Sequence, residues 1–191
     1  MHVVTHLLAG WALAEQTKLE KRDKAIVAWA SVAPDLDGIG LPVDWAARAL
    51  GYELGLYEAY HHLLFHGLPA AALFTLLCLP FLRRRWLAAL LVFLSFHLHI
   101  ACDLAGSAGG SGGADNIWPV HYLYPFSDVA IAWSGQWPLT SGQNTTLTVV
   151  LMLYCLYRSA RSGTSPLGLF SSRADAALVQ ALRRRFPSLA R

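Results

Sequence analysis

Charge is scarce in this 191-residue sequence: Asp, Glu, Lys and Arg make up only 14% of it, against about a quarter in ordinary soluble domains. Apolar residues fill 55% of the chain, so lipid becomes the expected solvent. Cysteine is rarer still, with three residues. Cys78, Cys102 and Cys155 lie in apolar runs without CxxC spacing, which excludes a disulfide scaffold or a zinc ribbon and leaves buried, inert thiols as the expectation. No basic segment precedes Val3, and His6 interrupts the first apolar run. A cleavable signal peptide is therefore not expected, and the start should be retained. Basic residues are dispersed over loops and a tail rather than gathered on one stripe, so no nucleic-acid partner is expected.

What the sequence does have is a series of apolar runs. Gly67–Leu82, Trp86–Cys102 and Thr145–Tyr157 are nearly uncharged; Val3–Ala14 and Ala25–Ala33 are shorter than the roughly 17 residues that a spanning helix needs. The expectation is an all-α integral membrane bundle of about five main helices, with a long aromatic and Gly-rich loop from Ala105 to Gly142. Residues 1–160 would form the embedded domain, and 161–191 a basic tail that reads equally as an interfacial helix or a solvated one.

Net charge is +3, and its distribution is lopsided. Lys18, Lys21, Arg22 and Lys24 lie in one loop, Arg83, Arg84 and Arg85 in a turn, and seven more basic residues beyond Tyr157, leaving Arg48 alone elsewhere. With five crossings, the three basic regions fall on one side, which the positive-inside rule makes cytoplasmic. Eight carboxylates (Asp35, Asp37, Asp44, Glu53, Glu58, Asp103, Asp115 and Asp128) fall on the other. That face is expected to be extracytoplasmic.

Four clusters of metal-ligand type sit at the acidic ends of the proposed helices: His6; Asp35 with Asp37 after Pro34; His61, His62 and His66; and His97, His99 and Asp103. Residues four apart share a helical face, so His99 pairs with Asp103 and His97 looks elsewhere. If His61, His62 and His66 open the third helix, the same rule favours His62 beside His66. His61 would join His66 only where the helix starts irregularly. Ionisable groups at membrane depth are costly unless paired, metal-bound or facing water. Mixed imidazole and carboxylate ligands suit zinc first, with manganese or iron as alternatives, and leave room for one or two ions. A divalent ion with an open position makes bound water acidic enough to attack a phosphoryl or carbonyl centre, with a spare Asp as general base.

In this order, His6 to Gly10, Pro34-Asp35-Leu36-Asp37, His61 to Gly67, His99 to Asp103, and Trp118-Pro119 resemble the LexA-binding, inner-membrane-associated, metal-dependent hydrolases over roughly residues 5 to 128. The resemblance implies His6, Asp35, His61, His66, His99 and Asp103 as metal ligands, with Asp37 as ligand or base. It moves the ligand role from His62 to His61 and leaves His62 a supporting donor. His62 stands where that family has Arg, and Gly67 where it has Ser. The ligand order is also similar, more faintly, to the all-helical zinc-dependent phospholipase C and single-strand nuclease group, which points to phosphoesters.

The expected function is thus a multi-pass inner-membrane hydrolase acting at the extracytoplasmic surface on a small-molecule or lipid phosphoester, with the bilayer as partner. Two other readings remain: a non-catalytic protein whose metal staples helices or supports partner binding, and a haem protein with histidine axial ligands. The aromatic loop (Trp118, His121, Tyr122, Tyr124, Phe126, Trp133 and Trp137) reads as a lid or, preferably, an interfacial aromatic belt. His121 and Asp128 are further site candidates.

Overall fold

The computed structural model describes residues 1–109 and 117–190, so Asp115 and the glycine-rich stretch around it lie outside the described residues. The described residues are helical without a named strand; two isolated bridges, Ala108 to Pro138 and Val120 to Ile131, tie down the long loop. Eight α-helices follow in order: α1 (Val3–Glu15), α2 (Lys21–Ala30), α3 (Gly40–Ala49), α4 (Leu56–Tyr60), α5 (Leu68–Cys78), α6 (Arg85–Gly106), α7 (Gly142–Ser162) and α8 (Ser172–Arg185). The five expected main helices correspond to α1, α2, α5, α6 and α7. The short α3 and α4 have no counterpart among the apolar runs.

The third helix starts later than the sequence pattern predicts. His61 to Gly67 form turns and bends, and α5 begins at Leu68, with Gly67 as N-cap and Pro69 in its first turn. Pro is preorganised for that position and lacks the N–H that a helix interior requires. The helical-face argument for His62 therefore does not apply, because the three histidines occupy an irregular segment.

Helices α1, α2 and α6 form the centre, with α7 against α1 and α5 against α6. Small side chains let the backbones approach: Ala14, Ala30, Ala88 and Ala89 are buried with Val27 and Val92 in one cluster, and Ala33 and Ala71 pack with the larger Phe96 and Ile100 in another. Close approach of this kind is how helices associate where lipid offers no hydrophobic drive between them. Gly10 is the tightest point, since a Cβ there would meet Ser31 and lie 2.9 Å from the Ala28 carbonyl oxygen. The contact frees Ser31 Oγ to bond the carbonyl oxygens of His6 and Ala28, both at 2.7 Å.

Outer faces stay apolar. Leu73, Leu76 and Leu77 on α5, Trp86, Leu90 and Leu94 on α6, and Val150 and Leu153 on α7 are exposed. Among the described residues, only α6 is by itself long and apolar enough to cross a membrane; α2 with residues 33–49 passes as one span bent by 49°. Helix α6 begins where buried Asp23 accepts the backbone N–H groups of Arg83 and Arg84, each at 3.0 Å. A carboxylate at a helix N-terminus meets unpaired N–H groups and the positive end of the dipole.

Candidate metal centre

The site forms where α1 starts, where the chain leaves α2, where it turns between α4 and α5, and where α6 ends. Asp103 is its hub and is buried. Its Oδ1 accepts from Ser107 Oγ at 2.8 Å, lies 3.1 Å from His6 Nε2, and contacts the Met1 amino group. Its Oδ2 lies 2.9 Å from His99 Nε2, 3.4 Å from His66 Nε2 and 3.5 Å from His62 Nε2. Asp35 Oδ1 approaches His99 Nε2 to 3.6 Å, and Asp35 Oδ2 is buried without a partner.

The far sides of the rings decide what the near sides can do. His99 Nδ1 lies 2.7 Å from the Ser31 carbonyl oxygen, which only accepts, so Nδ1 carries the hydrogen. His66 Nδ1 likewise donates to Asp37 Oδ2 at 2.9 Å. In neutral rings both Nε2 atoms then present lone pairs, and they face each other at 3.1 Å beside Asp103 Oδ2. Three acceptors at that spacing repel unless a cation lies among them. Two nitrogens bound to one tetrahedral ion at about 2.1 Å lie roughly 3.4 Å apart, so the spacing is close to that of a ligand shell.

Without a metal the cation is a proton. Burial alone would lower the pKa of His66, but its bonds to Asp103 and Asp37 outweigh burial and raise it to about 9. His62 goes the other way: burial pushes it down to about 3 against the opposing pull of Asp103. Its Nδ1 has no hydrogen-bond partner, and its backbone is left-handed with φ 66°. That conformation is uncommon outside glycine. It turns His62 inward beside His61 rather than away from it.

Asp37 serves two rings. Its Oδ1 takes His61 Nδ1 at 2.7 Å, and its Oδ2 takes His66 Nδ1 and the Phe65 backbone N–H at 3.1 Å. Both oxygens are engaged on the outer side of the histidines, the arrangement that fixes tautomer and ring orientation in metal sites. Two groups of donors result, each with one atom per residue within 4.8 Å of the others: His61, His62 and His66; and Asp35, His66, His99 and Asp103. His66 belongs to both. His6 stands outside both groups, stacked on the His99 ring at 3.7 Å. His97 points away to the Phe93 carbonyl and Tyr122 hydroxyl, and neither His121 nor the exposed Asp128 joins the cluster.

Trp118 closes one side, with ring centroids 4.2 Å from His62 and 5.1 Å from His61. Gln136 holds it there by accepting the Trp118 N–H while donating to the carbonyl oxygen of Asp103. Gly67 admits the same loop, since a Cβ would lie 2.6 Å from the Tyr122 carbonyl oxygen that accepts the Leu68 N–H. Ser31 and Gln136 carry no signal in the sequence: neither is of metal-ligand type, and their roles lie in bonds across long stretches of chain.

The YdjM inner membrane protein family model matches residues 1–179. The chain belongs to this family. No curated protein and no solved structure matches it. YdjM membership places the protein at the inner membrane, and the family description names neither a reaction nor a LexA partner. The expected membrane association thus agrees with the family, and the buried His and Asp group is one that could hold a metal ion.

Proposed function

We propose that this YdjM-family protein is a metal-dependent hydrolase of the inner membrane, acting on a phosphoester at the extracytoplasmic face. The observation that carries the reading is the convergence of His66 Nε2, His99 Nε2 and Asp103 Oδ2, with both Nδ1 atoms already committed as donors. Asp35, with one oxygen near His99 and the other unpartnered, supplies a further ligand, and His61 with His62 offers two more nitrogen donors beside it for a second ion. Zinc is the first choice for this donor set, manganese or iron the next.

A divalent ion held there with an open position supplies Lewis acidity and lowers the pKa of water. The chain's own residues do the rest. Asp37 orients His61 and His66, and Ser31 orients His99. His62 stays neutral near pH 7 because burial lowers its pKa, so it can donate a hydrogen bond beside the second group but is a poor proton acceptor. Trp118 restricts solvent on that side. A haem between His66 and His99 does not fit this donor set, because carboxylate oxygens of Asp103 and Asp35 lie 2.9 and 3.6 Å from His99 Nε2.

One observation favours a second reading, in which the metal only staples helices together: His6, His66, His99 and Asp103 are at most 2% exposed. Elemental analysis of detergent-purified protein, paired with a phosphoester and amide screen of the same sample, tests both. Near-stoichiometric zinc, manganese or iron with chelator-sensitive turnover supports the hydrolase. Bound metal without turnover supports the staple, and protein free of metal with all these residues intact defeats both.

A further inference from the structure

The bundle end away from the metal cluster carries a second concentration of charge. There α1 ends, α2 and α6 begin, and α8 packs against α7. The carboxylates at this end are all engaged. Glu15 takes Lys24 Nζ at 2.8 and 3.0 Å and Thr164 Oγ1 at 3.0 Å. Glu20 pairs with Arg83 at 3.2 Å, and Asp23 holds the N–H groups that open α6. Asp175 accepts from Ser165 N and Oγ at 2.6 and 2.8 Å.

Several cations at this end have no carboxylate ion pair among the described residues, and three of them, Lys21, Arg183 and Arg184, lie together. Arg183 spends Nε and one terminal nitrogen on the carbonyl oxygens of Ala160 and Arg161, which leaves its charge without an anion. All three line one open groove of about 970 Å³ between α2 and α8, together with Ser172, Gln180 and the already engaged Asp175. Three cations against the single carboxylate of Asp175, which its bonds from neutral Ser165 leave charged, give the groove a net positive charge that favours an external anion.

We propose that this groove binds a phosphate-bearing group, held by Lys21 from α2 and Arg184 from α8, with Ser172 and Gln180 as neutral donors. Phosphate suits it better than carboxylate because several oxygens can meet donors from both walls, and the guanidinium fork matches them two at a time. The site is separate from the metal centre and independent of the proposed hydrolysis. A phospholipid headgroup and a soluble phosphoester share the required chemistry.

Calorimetric titration of the full chain in non-ionic detergent separates these sources, with short-chain phosphatidylglycerol in mixed micelles as one probe and inorganic phosphate as the other. The expected result is saturable binding that weakens about tenfold or more in Lys21→Gln/Arg184→Gln, with smaller losses in each single variant. Lys18→Gln/Arg22→Gln removes equal charge outside the groove and should bind as wild type, with unchanged unfolding midpoints throughout. Loss of both probes in that pattern assigns a free phosphate group, and loss of the lipid alone assigns a headgroup. Equal weakening by the two double variants, no weakening by either, or no saturable binding of either probe overturns the proposal.

Discussion

Asp37 holds two imidazoles with one carboxylate, and that makes it the most informative residue to change. Asn is nearly the same shape, but its amide nitrogen donates where the carboxylate oxygen accepted. One of His61 and His66 would then lose its Nδ1–H partner and shift to the other tautomer, placing the hydrogen on the Nε2 that faces the cluster. Asp37→Asn is expected to weaken metal binding about 10- to 100-fold while the protein stays folded, as measured by chelator competition. Unchanged affinity would mean that Asp37 does not set the ligand tautomers. The spacing of His99 and Asp103 already reveals their pairing, because both lie on regular helix and the i, i+4 rule applies; the structure gives 2.9 Å. The choice between His61 and His62 is not legible in the same way. That rule presumes a helix, and residues 61–67 are not one.

At the scale of elements, the first helix pair depends on a missing side chain. Gly10 lets α1 approach Ser31, whose hydroxyl ties α1 to α2 and whose carbonyl fixes the His99 ring on α6. Gly10→Ala is therefore expected to cost about 1–3 kcal/mol by overpacking and to weaken metal binding as well, since Ser31 must move. Gly142→Ala, at the start of α7 with nothing within 4 Å, should be neutral or slightly stabilising. Thermal unfolding and chelator competition on the two variants check this, and equal behaviour would remove the role given to Gly10. The apolar runs make α6 and α7 legible, because each is long and little interrupted. They do not make α3 or α4 legible: Gly40–Ala49 mixes apolar and charged residues, and the five-residue α4 depends on Asp44 accepting the Leu56 and Tyr57 N–H groups. Gly67 and Pro69 were a readable signal that α5 starts after the histidines, and the pattern of histidine spacing obscured it.

For the whole molecule, the question is which end faces which side of the membrane. Helix α6 links the two ends: Arg83, Arg84 and Arg85 lie at its start and His99 and Asp103 near its finish. At about 1.5 Å per residue its 22 residues span roughly 33 Å, enough for a hydrocarbon core of about 30 Å. If α6 crosses the bilayer, as the proposed function requires, the positive-inside rule would put the basic groove in the cytoplasm and the metal cluster outside. Single cysteines test this in a background where Cys78, Cys102 and Cys155 are replaced by Ala. Asp128→Cys, exposed on the loop over the metal end, should react with a membrane-impermeant maleimide in intact spheroplasts. Arg173→Cys, exposed on α8, should react only after the membrane is permeabilised. The reverse pattern would move the metal centre to the cytoplasm and with it any phosphoester it acts on. Labelling of both positions without permeabilisation would mean that α6 does not separate the two ends across the bilayer.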